Sequence, residues 1–172
     1  MTLTTHAIIG AAFAQVFPDR PVTAFCVGFV SHFAADALPH WDYQLKSRKA
    51  DPNNYLNSDM PINRAAIVDL VKIGFDFWLG IGLSLLIFAS QNPAAFWATA
   101  AGALGGILPD PLQFAYWKIR REPLTSLQKF HHLAHSNYRL TNRPFIGVFL
   151  QLLLVVITVF FFQTLLTYAA NW

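Results

Sequence analysis

The segment 145–170 constrains this chain more than any other. It contains no Asp, Glu, Lys, Arg or His. As a helix it is about 39 Å long, enough to cross a hydrocarbon core of roughly 30 Å with some tilt. Composition agrees: 12% of residues are charged and 55% hydrophobic, where soluble domains average roughly 25% charged. The expected class is an all-α polytopic membrane protein, with residues 1–172 as a single integral-membrane helical domain.

Four earlier apolar segments precede it, at 5–17, 22–38, 65–90 and 94–108. The first two flank the turn Pro18-Asp19-Arg20-Pro21 and read as a helical hairpin. Asp59 or Asn63 is placed to cap the third. The fourth is rich in Ala and Gly, the composition that lets helix backbones approach closely in a membrane, and it is expected to end at Pro109-Asp110-Pro111. A polar stretch, 114–143, carries a further helix, capped at Thr125 or Ser126 and running to about Asn137. The expectation is thus about five apolar helices plus a cytoplasmic helical loop.

Charge orients them. If each segment crosses, the N-terminus and the loops 41–63 and 112–143 share one side. That side holds Lys46, Arg48, Lys49, Arg64, Lys118, Arg120, Arg121, Lys129, Arg139 and Arg143, ten of the twelve basic residues. The positive-inside rule makes it cytoplasmic and places the C-terminus outside. There is no Lys or Arg before Arg20, so the N-terminus reads as retained rather than as a cleaved leader. The single cysteine, Cys26, allows no internal disulfide, and its expected role is packing.

The chemistry-bearing residues fall on that same side. Ser31 to Asp42 holds two histidines and two carboxylates, and His32 and Asp36 share a helix face. His40 continues the spacing beyond Pro39. His6 begins the first helix, Asp69 and Asp76 lie in the first half of the third, and Asp110 ends the fourth. His131 and His135 are spaced i, i+4 in the later loop, with His132 between them. Imidazole and carboxylate are ligands for divalent metals and are costly inside a bilayer. Each also has a plainer reading: His6 as an interfacial cap, His32 with Asp36 as a packing pair, Asp76 as the partner of Lys72, Asp110 as a turn residue. One-sided clustering of all six histidines favours a metal. The candidate ligands are His6, His32, Asp36, His40, Asp110, His131 and His135. Seven exceed the four that zinc prefers, so either two ions bind or some groups orient the others. Asp36 or Asp76 is the candidate general base. The run Lys118 to Glu122 reads as a headgroup-facing loop or a phosphate holder.

Three motifs carry a resemblance: Thr5-His6 with Gly10; Gly105-Gly106-Ile107-Leu108-Pro109-Asp110; and His132-Leu133-Ala134-His135-Ser136. Together they resemble the bacterial inner-membrane metal-dependent hydrolases of the LexA-binding type, distant relatives of zinc-dependent phospholipase C. The chain departs from that pattern after Pro-Asp, where Pro111-Leu112-Gln113 replaces a further Asp or His. It departs again at its last motif, which lacks the Arg-Gly that usually precedes Thr-His-Ser. The resemblance implies a bacterial inner-membrane enzyme with one or two divalent ions, zinc first, acting on a phospholipid or other phosphoester at the cytoplasmic face. No nucleic-acid partner is expected. The competing readings are a metal or proton carrier, a structural protein packed through its polar cluster, and a haem protein using two facing histidines.

Overall fold

Three helices meet through glycine. Helix α1 (Leu3–Ala14), α2 (Pro21–Asp36) and α4 (Pro93–Ile107) pack together so tightly that no side chain fits between their backbones at the crossing. A Cβ on Gly102 would lie 2.7 Å from the Gly10 carbonyl oxygen, and one on Gly28 only 3.1 Å from the Gly102 Cα. A Cβ on Gly106 would meet the backbone of His6. The small-residue composition of α4 therefore does what its pattern predicts.

The computed structural model describes residues 1–89, 92–138 and 140–169. Ser90, Arg139 and Ala170, used in the sequence reading above, lie outside them. Among the described residues there are seven α-helices and no strand. The remaining four are α3 (Arg64–Phe88), α5 (Pro109–Ile119), α6 (Leu124–Ala134) and α7 (Pro144–Ala169). Their starts follow local chemistry. Thr2 caps α1 and Asn92 caps α4 through side-chain oxygens, and Asn63 caps α3 as its sequence position suggests. Prolines open α2, α4, α5 and α7, where the missing N–H costs nothing.

Several expectations are corrected. Among the described residues, only α3 and α7 are long and apolar enough to cross a membrane, not about five helices. At 12, 16 and 15 residues, α1, α2 and α4 are about 18–24 Å long, short of a roughly 30 Å core. Pro109-Asp110-Pro111 follows the end of α4 at Ile107 as expected, yet it does not end the helical path. It opens α5 one residue after α4 closes, because proline is tolerated in a first turn. Asp110 is thus an N-terminal residue of α5. The later helix begins at Leu124 with no side-chain cap, instead of after Thr125 or Ser126. Cys26 is exposed and packs in no core.

Helices α3 and α7 flank the glycine-packed trio. Their inner sides meet α1 through Ile73, Phe77 and Ile81 on α3 and Val155, Val159 and Phe162 on α7. Their outer sides are apolar and exposed: Phe75, Trp78 and Leu86 on α3, Phe149, Phe160 and Phe161 on α7. Exposed apolar surface on this scale is uncommon on a water-soluble monomer.

Two polar side chains fix α1 between the long helices. Asp76 of α3 accepts from Leu3 N at 2.6 Å, Thr4 N at 3.1 Å and Thr4 Oγ1 at 2.6 Å. It satisfies free amides of the α1 first turn. Gln151 of α7 accepts from Thr2 N and Thr5 Oγ1 and donates to the Trp41 carbonyl. The start of α1 therefore lies level with Asp76, about 18 Å along α3, and with Gln151, about 10 Å along α7.

The loop 37–63 is tied down on the same side. Buried Asp69 accepts from the Ser47 N–H and hydroxyl at 2.8 and 2.7 Å. Lys118 of α5 binds Asp59 and the Met60 carbonyl, both at 2.7 Å. Arg120, left-handed at φ 51°, reaches the Asn57 and Ser58 carbonyls. The basic run at 118–122 thus clamps this loop through Lys118 and Arg120.

Candidate metal centre

Asp36, the last residue of α2, stands at the centre of the cluster, and its two carboxylate oxygens face different groups. Around Oδ2 lie His131 Nε2 at 3.0 Å and His32 Nε2 at 3.2 Å. Those two nitrogens are 3.3 Å apart. Asp110 Oδ1 lies 3.8 Å from each of them. Around Oδ1 lie the Met1 α-ammonium at 3.1 Å, His6 Nε2 at 3.2 Å and His40 Nε2 at 3.6 Å. His40 and His135 in turn approach Asp42 at 3.3 and 3.6 Å.

Five helices and one turn assemble these groups. The Gly106–His6 contact sets α1 against α4, so the His6 ring stacks on His32 with centroids 3.8 Å apart. Asp36 sits one turn beyond His32 on α2. His40 follows α2's end, Asp110 comes from the first turn of α5, His131 from α6 and His135 from its C-terminal cap. His6, His32, Asp36, His40 and His131 are all buried.

Hydrogen bonds at the far ring nitrogens decide which lone pairs point inward. His32 Nδ1 lies 2.8 Å from the Gly106 carbonyl, His40 Nδ1 2.7 Å from the Leu38 carbonyl, and His135 Nδ1 3.2 Å from the Ser136 carbonyl. A carbonyl only accepts, so each Nδ1 carries the proton, and in the neutral ring each Nε2 is bare. Three bare nitrogens then face carboxylate oxygens. Lone pair opposes lone pair unless a cation stands between them. His40 Nε2 and both His6 nitrogens are buried with no hydrogen-bond partner.

The spacing suits a metal. Ligands about 2.0–2.2 Å from a tetrahedral ion are about 3.3–3.6 Å from one another. His32 Nε2, His131 Nε2, Asp36 Oδ2 and Asp110 Oδ1 give five edges between 3.0 and 3.8 Å. Three overlapping groups can each hold a metal ion: His6, His32 and Asp36; His32, Asp110 and His131; Asp36, His40 and His135. The seven expected ligands all fall within these groups. Haem between two histidines does not fit His6 and His32, whose rings already stack.

Asp76, the alternative general base, lies apart from these groups, filled by α1 donors. Its expected partner Lys72 instead approaches Asp69 at 3.8 Å. His132 points elsewhere and stacks on Tyr55, with ring centroids 3.7 Å apart. Asp69 holds the loop and joins no ligand group.

Asp42, Tyr43 and Gln151 are the participants that spacing did not single out. Burial pushes the Asp42 carboxyl up, but the adjacent His135 and His40 rings and the nearby Met1 ammonium hold it below the usual carboxylate range. Burial pushes the Met1 ammonium down, yet Asp36, Asp42 and Asp110 hold it up at about 10. The Tyr43 phenol is pushed up by burial and by Asp76 and Asp110. Asp42 could have been found from its place two residues after His40. Gln151 carries no charge and leaves no such signal.

The cluster opens into a cleft of about 540 Å³, a size usual for small-molecule sites. Asp36, Asp42, Asp110, His131 and His135 line its polar end. Compared with known proteins, the chain matches no family model, no curated protein and no solved structure.

Proposed function

We propose that this protein is a membrane-bound, metal-dependent hydrolase that cleaves a phosphoester or lipid-like substrate at the cytoplasmic face. The observation that carries the reading is that the bare Nε2 atoms of His32 and His40 face the two oxygens of buried Asp36, while that of His135 faces Asp42. Protons could fill those gaps only by making several adjacent imidazolium ions, whose mutual repulsion in a buried site is severe. One or two divalent cations fill them with far less charge.

Zinc is the first candidate, because the donors are nitrogen and oxygen at tetrahedral spacing. His32, His131 and Asp110, with Asp36 beside them, would hold one ion, and Asp36, His40 and His135 a second. Asp110, partly exposed at the cleft, is the ligand best placed to give way to substrate. A metal here lowers the pKa of a bound water and polarises a phosphoryl oxygen. The carboxylates would receive the proton from that water: Asp36 as first read from the sequence, or Asp42 beside His40 and His135.

The exposed outer faces of α3 and α7 support a bilayer setting, and the basic loops support a cytoplasmic orientation for the site. The same motif resemblance points to a bacterial inner membrane. A carrier would need a polar path onward from the cluster. The backbone contacts of Gly10, Gly28 and Gly102 leave no room for one between α1, α2 and α4.

The test is release of phosphate or a phosphorylated headgroup from a panel of short-chain phospholipids by purified, zinc-loaded protein, with Asp36→Asn alongside. Release that disappears on chelation and in the variant supports the reading. Metal-loaded, folded protein with no activity on any phosphoester contradicts the hydrolase assignment.

A further inference from the structure

The cleft that opens from the cluster is more than a mouth for water. Its lining also includes apolar side chains, among them Leu70 and Ile73 of α3 and Phe114 of α5. Leu70 is 49% exposed and lies within one helical turn of Ile73. The cleft therefore shares a wall with the surface of a helix long and apolar enough to cross a membrane. The cluster lies level with the start of α1, about 18 Å along α3 and about 10 Å along α7. A substrate that reaches this depth beside α3 comes most directly from the bilayer.

Arg48, Trp117 and Gln128 line the same cleft. The Arg48 guanidinium lies over the Trp117 ring, 5.7 Å from its centre. Its neighbour Ser47 is held by buried Asp69, which fixes the loop at this point. Trp117 and Gln128 are each 6% exposed. Trp117 Nε1 and Gln128 Oε1 are buried without a hydrogen-bond partner. A buried donor and a buried acceptor left unpaired are costly unless something else pairs with them.

We propose that Arg48, Trp117 and Gln128 form a headgroup subsite for an anionic lipid phosphate, whose acyl chain lies along Leu70, Ile73 and Phe114. Arg48 and the Trp117 N–H bind phosphate oxygens, since a guanidinium offers several donors to such an anion. Gln128 accepts from a hydroxyl of the headgroup. The inference deepens the hydrolase reading and rests on it only for the reacting end. The shared chemistry, a phosphate, could also be met by free phosphate, and the chain along α3 is what distinguishes the lipid.

The test uses the full chain in neutral detergent, zinc-loaded, with bound metal quantified on every sample. Calorimetric titration compares dihexanoyl phosphatidate, dihexanoyl phosphatidylcholine and inorganic phosphate. Phosphatidate is expected to bind at least tenfold tighter than the other two. Arg48→Gln and, independently, Gln128→Leu are expected to weaken phosphatidate about tenfold while metal content and melting temperature stay at wild-type values. Ile73→Ala is expected to narrow the advantage over inorganic phosphate. Equal affinity for phosphate and phosphatidate would overturn the lipid site, and equal affinity for phosphatidylcholine would overturn the anion site. Metal-loaded protein that binds no phosphatidate would overturn the inference and leave the metal centre standing. Phosphatidate binding without bound metal would sustain the subsite and remove the metal reading.

Discussion

The glycine crossing and the histidine cluster share α1 and α2, yet they are opposites. At the crossing, Gly10, Gly28 and Gly102 bring backbones into contact with no polar side chain involved. Toward the other end, His6, His32 and Asp36 crowd together around bare nitrogens and a buried carboxylate. The first region is favourable by itself, through close packing. The second is costly by itself, because it buries a carboxylate among imidazoles. The geometry joins them: Gly106 lies against the His6 backbone, so the close approach of α1 and α4 also stacks His6 on His32. A cluster that is expensive to bury is held in place by packing that does not depend on it.

The largest expected effect comes from breaking the crossing. In Gly102→Val the new side chain would meet Ala14 and the Gly10 backbone, and backbone cannot yield as a side-chain tip does. The loss is expected at or above the ~3 kcal/mol top of the usual overpacking range. The prediction is loss of the folded fraction in size-exclusion chromatography, with metal binding lost alongside. Retained metal in a folded Gly102→Val protein would separate the two regions.

Next comes Gln151→Leu, which keeps α7 apolar but removes the partner of Thr2, Thr5 and Trp41. A loss of about 1–3 kcal/mol is expected from the unpaired buried groups, read as a lower melting temperature, with at most a modest fall in metal affinity. A variant as stable as wild type would mean that Gln151 does not position α1.

A sharper comparison sets adjacent residues against each other. His131 faces Asp36 at 3.0 Å, whereas His132 stacks on Tyr55. His131→Ala is expected to weaken metal affinity by tenfold or more, and His132→Ala by less than twofold, in a competition titration with a chromophoric chelator. Equal losses would place the metal elsewhere.

The smallest effect concerns the clamp on the loop. The Lys118 ammonium holds the Asp59 carboxyl below its usual range. A depressed carboxyl stabilises fully above its unfolded value, about 3.9, and that contribution fades as pH falls through the lower folded value. Both groups are partly exposed, so the effect is small. Proteolytic nicking of loop 41–63 is expected to rise as pH falls below about 4 and to rise already at neutral pH in Lys118→Met. A cleavage rate that is flat across both changes would remove the clamp.

Much of this was legible beforehand, and for physical reasons. The uncharged length of 145–169 and the glycines of α4 report local properties, and both read correctly. The i, i+4 spacing of His32 and Asp36 is likewise local and survives in the fold. Helix span failed on length. The segments at 5–17 and 22–38, about 20 and 26 Å long as helices, are short of a roughly 30 Å core from the outset, and the expected hairpin lengthens neither. Pro109-Asp110-Pro111 marked the end of α4 correctly but hid the start of α5, because proline ends one helix and opens another with equal ease. Asp76 and His132 have the right residue type but point elsewhere, to the α1 amides and to Tyr55. Orientation of that kind depends on packing, which spacing does not encode.

The central claim is that the cluster around Asp36 holds metal. The direct measurement is metal per chain, by inductively coupled plasma mass spectrometry, on purified protein after zinc reconstitution and desalting. Wild type is expected to retain one to two equivalents, and Asp36→Asn less than a tenth of the wild-type amount while remaining folded by circular dichroism. Folded wild-type protein that retains no metal, or Asp36→Asn that retains as much as wild type, would contradict it.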